Sequence, residues 1–286
     1  RERSAECIAY RVSYIVENQL MFWKLGFFLP ILIFCGNPSF AAEFDHRPWD
    51  QLLQSHVQML DEGRASRVDY RGMMENQPAI DSYLQTIADI EQNTFDGWTN
   101  SEQLAFLINT YNAATVSLIL TEYPNLDSIK DIGLIFTSPW KREFISLFGR
   151  TLSLDEIEHE LIRGSGKYSE PRIHFAVNCA AIGCPALSNR AYFGDKLEQQ
   201  LEEATRLFLS DRSRNYFSNN RLYVSSIFKW YREDFEKGWL SSISLEEFLG
   251  RYYDELGMDN VSAADLASNR IRIRFLRYDW NLNSGD

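Results

Sequence analysis

The stretch from Ser101 to about Tyr123 constrains the fold more than any other, because it reads as a helix that is apolar on nearly every side. An amphipathic helix needs cover along one stripe, whereas a helix apolar all round must be surrounded, so this one is expected at the centre. Around it the spacing predicts amphipathic helices. One is marked by Trp49, Leu52, Leu53, Val57 and Leu60, another by Ile80, Tyr83, Leu84 and Ile87. Later helices carry start signals, Ser153 with Glu156, Asp195 with Glu198 and Ser244 with Glu247. Strand signals are fewer: the apolar run Ile173–Asn178, the alternating Ile271–Tyr278, and a hairpin from Tyr216 to Val224 turning at Asn219-Asn220. Helices outnumber strands and do not alternate with them. The expected class is therefore α+β, a predominantly helical single domain with a small, mainly antiparallel sheet.

The N-terminal region sets the expected compartment. Met21 precedes Lys24, an apolar run from Leu25 to Cys35, and the small residues Ser39 and Ala41, the pattern of a secretory signal peptide over 21–41 cut before Ala42. The run is shorter than the ~20 apolar residues a membrane helix needs, so no stable anchor is expected. Residues 1–20, mixed in charge and upstream of Met21, read as a mis-set start. Losing 1–41 removes Cys7 and Cys35 and leaves Cys179 and Cys184. In a periplasmic or secreted protein two such thiols are candidates for a bridge. The remaining 25 Lys and Arg against 37 Asp and Glu give a formal charge of −12. Such an acidic chain is a poor match for nucleic acid or anionic lipid.

Chemistry is concentrated in the run from Ile173 to Pro185, where an apolar segment enters a small-residue turn, Cys179-Ala180-Ala181-Ile182-Gly183-Cys184. Little side-chain bulk surrounds Cys179, so a carbonyl has room to approach its sulfur and backbone N–H groups to face it. Five ordered segments then carry a resemblance: 105–112 (AFLINTYN), 154–159 (LDEIEH), 172–179 with Gly183-Cys184-Pro185, 227–235 (IFKWYREDF) and 278–283 (YDWNLN). Together they resemble the family known as domain of unknown function 547, over about residues 95–283, with 42–94 as a helical segment before it. Leu107 departs from the family's usual tryptophan after the phenylalanine of the first segment. The family's name brings no settled activity, so the resemblance implies a domain and leaves the chemistry to the residues.

A thiol nucleophile at neutral pH needs a base. His46 lies near the expected new terminus and His56 on the apolar side of the first helix. As a strand, 173–178 would hold His174 ~16 Å from Cys179 on the opposite face. His159 is then the expected partner by elimination, at the edge of the stripe made by Leu154, Ile157, Leu161 and Ile162; the bland alternative pairs it with Asp155 one turn back. Glu158 faces the apolar side and needs a donor, with Arg163 and Arg172 in reach by sequence. Asn109 and Asn112 interrupt the central helix, either orienting the histidine and binding an oxyanion or tying loops to the helix. Trp230, Tyr231 and Phe235 fit a helical core stripe, with Asp234 and Asp279 as network members.

The sharp expectation is a cysteine-dependent hydrolase or acyl transferase acting on an amide or ester of a small molecule or peptide. Cys179 attacks, His159 takes the proton, and Glu158, Asn109 or Asn112 orients the imidazole. Against it stands a non-catalytic binding or scaffold module with a Cys179–Cys184 disulfide; a reversible thiol pair is a third reading. No cofactor or metal is expected. Cys-x4-Cys without a second cysteine pair is a weak zinc pattern, and no Walker loop, dinucleotide fingerprint, Gly-x-Ser-x-Gly elbow or Cys-x-x-Cys is present.

Overall fold

The computed structural model describes residues 43–133, 138–258, 263–268 and 270–285. The expected leader and the stretch before it, 1–41, lie outside them. The central helix is α5 (Asn100–Leu120), opened by a capping box in which Thr99 accepts from the Glu102 N–H and Glu102 reaches back to Thr99. Seventeen of its 21 residues are buried, so the all-round apolar pattern does mark a surrounded helix. The elements before it, in chain order, are α1 (Arg47–His56), β1 (Val57–Leu60), β2 (Ala65–Val68), α2 (Tyr70–Glu75), α3 (Gln77–Ala88) and α4 (Gln92–Asp96). After it come β3 (Ile145–Leu147), β4 (Arg150–Leu152), α6 (Leu197–Ser210), β5 (Tyr216–Ser218), β6 (Arg221–Val224), α7 (Ile227–Trp230), α8 (Arg232–Phe235), α9 (Leu245–Gly250), α10 (Ala263–Ala267) and β7 (Arg272–Phe275). This is an α+β protein in which short ribbons decorate a helical body.

Local chemistry explains where the elements stop. The first apolar stripe, expected to run to Leu60 as helix, ends at His56 because Val57 turns extended (φ −113°, ψ 113°) and starts a ribbon with β2. The β5–β6 hairpin turns at Asn219 and Asn220 with φ of 50° and 55°. Positive φ at both central residues is what a type I′ turn requires. β7 then adds to β6 in parallel, so this sheet is mixed. Ser153 with Glu156 and Ser244 with Glu247 cap as the sequence suggests. Asp195 does not cap α6; Glu198 instead turns to the buried Arg172 guanidinium, at 2.7 and 2.9 Å.

The largest departure concerns 173–178. These residues are not a strand: Pro171–Phe175 form a 3-10 helix, opened by Pro171 and by the Glu170 carboxylate accepting from the Arg172 N–H. A short apolar run does not by itself separate strand from buried helix, and a proline with a capping acid tips it to helix. The segment also straddles two apolar clusters. Ile173 and Ala176 pack with α1, α3 and α5, while Phe175 joins Phe208, Phe228, Phe235 and Phe248. The cysteine turn thus leaves from the seam between them.

Candidate functional site

The turn is built by hydrogen bonds from both sides. Asn178 donates from its backbone N–H to Asn112 Oδ1 (2.8 Å) and from its side chain to the Pro185 carbonyl (2.8 Å), while its Oδ1 accepts from the Ala180 N–H (2.9 Å). Ala180 is driven to φ 59°, a left-handed conformation that alanine seldom adopts. From the far side a C-terminal strap, Tyr278–Ser284, accepts from the turn: Ile182 N–H donates to the Asn281 carbonyl and Gly183 N–H to the Asp279 carbonyl, both at 2.8 Å. A β-carbon on Gly183 would lie 2.8 Å from that Asp279 oxygen, so only glycine allows the strap this close.

Cys179 and Cys184 are joined as a disulfide. The Tyr278 hydroxyl sits over it, 3.2 Å from the Cys179 sulfur and 3.1 Å from that of Cys184. Both sulfurs face a cleft of about 170 Å³, walled by Tyr111, Trp140, Trp230, Tyr231, Tyr278 and Trp280, with Asp155, Glu158, His159 and His174 also on its surface. Trp230 and Trp280 stack at 5.7 Å, and Trp230 is half-exposed at the mouth rather than in the core its spacing suggested. A larger groove of about 600 Å³ along α6 contains neither sulfur nor imidazole on its surface.

Cys179, His159 and Glu158 therefore line one cleft, and the sequence reading places them together for partly the wrong reasons. His159 lies in a π-helical stretch, Glu156–Arg163, a rare geometry that recurs at functional sites. Its side chain is 40% exposed and engaged by its own helix: Arg163 donates to Nδ1 at 2.5 Å, and Nε2 is 3.8 Å from Asp155. His174, set aside because a strand would carry it away from Cys179, lies in the cleft wall since no strand is there. It is fully buried, stacked on Tyr231 at 4.0 Å, with Nε2 on Asp234 Oδ2 at 2.8 Å. Burial pushes its pKa down, so the ring is neutral at pH 7 and Nε2 carries the proton toward the carboxylate. Asp234 is itself buried, which favours protonation, but bonds from His174, Arg163 (2.5 Å) and Lys237 (2.7 Å) hold its carboxyl well below the usual range. Proline ahead of the apolar run was the sequence signal that would have kept His174 in contention.

Glu158 does not find the arginines. Arg163 turns to Asp234 and His159, and Arg172 to Glu170 and Glu198. The buried Glu158 carboxylate lies instead against the Tyr111 and Tyr231 hydroxyls, and its Oε1 has no hydrogen-bond partner among the described residues. Burial pushes both phenols' pKa well up, so they stay neutral.

Asn109 and Asn112 are not on the cleft surface. Asn109 clamps Tyr192, donating to its carbonyl (2.7 Å) and accepting from its N–H (2.9 Å); Asn112 likewise joins the Ala176 carbonyl (2.9 Å) to the Asn178 N–H (2.8 Å). Both carboxamides tie loops to α5. Asn112→Ala strands two buried backbone groups and should cost ~1–3 kcal/mol, measured by urea unfolding; a loss under about 0.5 kcal/mol, the ordinary scatter of surface substitutions, refutes the loop-tying role.

Among the described residues no three His, Cys, Asp or Glu side chains cluster so as to hold a metal ion. Residues 95–209 match the family model described as protein of unknown function, DUF547. The match takes in α5, the π-helical stretch and the cysteine turn, and stops before Asp234 and the strap. Comparison with curated proteins and with solved structures found no match.

Proposed function

We propose from the geometry that this chain, whose residues 95–209 match the DUF547 family model, a description that assigns no chemistry, is an exported, non-catalytic binding module whose ligand occupies the cleft above the Cys179–Cys184 disulfide. One observation carries the reading. The sulfur that would act as nucleophile is bonded to its neighbour and covered by Tyr278, so the cleft presents shape, aromatic surface and a buried carboxylate rather than a thiolate. A persistent disulfide fits an oxidising compartment, in keeping with the leader-like sequence at 21–41.

The thiol hydrolase is the second reading, favoured because Cys179, Glu158 and His159 share the cleft surface. It requires the disulfide reduced. In that case His174, buried, neutral and oriented by Asp234, is a better-held base than His159, whose Nδ1 already accepts from Arg163. Iodoacetamide labelling of protein isolated without reductant, read by mass spectrometry, separates the two. The binding module predicts no labelling at either cysteine until a reductant is added, then labelling at both. Labelling of Cys179 alone, well below the pKa of about 8.5 of a free thiol, would overturn it in favour of the hydrolase.

A further inference from the structure

We propose that the cleft accepts a primary alkylammonium group, hydrogen-bonded by Glu158 and covered by the half-exposed indole of Trp230; the proposal rests on the binding-module reading and names its ligand class. Glu158 is only 4% exposed, faces the cleft, and keeps Oε1 without a partner. A buried carboxylate oxygen in that state calls for a donor. The two arginines within sequence reach, Arg163 and Arg172, are engaged with other carboxylates. The cleft surface carries a second acid, Asp155, and neither lysine nor arginine, while burial keeps His174 neutral. With two acids and no lysine or arginine on that surface, a cation is the donor that also compensates them.

The walls fit the same group. Indole faces attract cations more strongly than other aromatic rings. Trp280 already does so on one side, where Lys130 Nζ stands 3.5 Å from the ring centre. Lys130 and the stacked Trp230 thus cover Trp280, and the indole left open at the mouth is that of the half-exposed Trp230, with the Glu158 carboxyl also on the cleft surface. Glu158 Oε1 needs an N–H, which a primary ammonium has and a quaternary one lacks. A cleft of about 170 Å³ suits a short carbon chain behind that head.

The test titrates the disulfide-intact protein with n-butylammonium, n-butanol and tetramethylammonium, following tryptophan fluorescence and heat. The expected result is that n-butylammonium binds at least about tenfold more tightly than either comparison compound, the difference a charge-assisted hydrogen bond supplies. Glu158→Gln should remove that preference, and Trp230→Leu, at a half-exposed position that leaves folding intact, should weaken n-butylammonium more than n-butanol. Equal binding of ammonium and alcohol, or no effect of Glu158→Gln, overturns the ammonium assignment while leaving a binding cleft. No binding of any probe at millimolar concentration overturns it too. The binding-module reading falls separately, on a reactive Cys179 in the labelling experiment.

Discussion

Asp234→Ala lowers the stability of the folded protein by about 3–5 kcal/mol, the range for removing one partner of a buried ion-pair network. The carboxylate is the single acceptor on which His174, Arg163 and Lys237 converge. Without it the His174 Nε2–H is left buried with no acceptor, and Arg163, about four-fifths buried, loses the partner that orients it. Lys237 contributes little, since its side chain is 55% exposed and water replaces the lost bond. Urea unfolding of Asp234→Ala beside Lys237→Ala measures the contrast, with the second variant expected within about 1 kcal/mol of the parent. Similar small losses in both would mean that the network does not organise the cleft wall.

Acid weakens the protein well before its carboxylates titrate. His46 is buried among Phe44, Tyr83, Phe106 and Phe193, with Nδ1 2.8 Å from the Tyr83 hydroxyl, and burial pushes its pKa down to about 3. His174 is shifted in the same direction by the same cause. Both histidines prefer to be neutral when folded, so their contribution is complete above the unfolded value of about 6.5 and drains as pH falls below it, when the unfolded chain gains protons that the native state refuses. For His46 the loss reaches about 2 kcal/mol by pH 5, and His174 adds to it. Asp234, held below the usual carboxyl range, adds a further loss only beneath about pH 4. Unfolding free energies between about pH 7 and pH 5 should fall steeply in the parent and less steeply in His46→Phe; parallel slopes would show that His46 is not the titrating group.

Legibility in the sequence followed the range of the forces involved. The central helix was readable because Leu104 to Leu120 offer no polar face, and the 219–220 hairpin because two adjacent asparagines tolerate left-handed backbone. That His159 and Glu158 share a cleft with Cys179 was reachable by elimination among four histidines and by helix-face position. What the sequence concealed was directional. Whether 173–178 ran extended or coiled decided if His174 lay in the wall of the cysteine cleft, and an apolar hexamer serves either geometry. Partner choice was equally hidden: Glu158 was within sequence reach of two arginines, but each met another carboxylate, and only tertiary structure brought Tyr111 and Tyr231 against it. Tyr278 and Trp280 close the cleft from far along the chain, where no local pattern signals it.

That distance sets an order of events during synthesis. Tyr278 follows Cys179 by 99 residues, and the strap that walls the cysteine turn follows with it. A chain emerging N-terminus first displays both thiols while the covering phenol and its neighbours are still to be made, at roughly 5–20 residues per second a delay of some seconds. During that interval the turn can be held by Asn112 and Asn178 but not yet covered from the strap side. Once the strap docks, the bond lies beneath Tyr278. The last-made segment of the domain therefore supplies the group that stands between the finished bond and whatever enters the cleft.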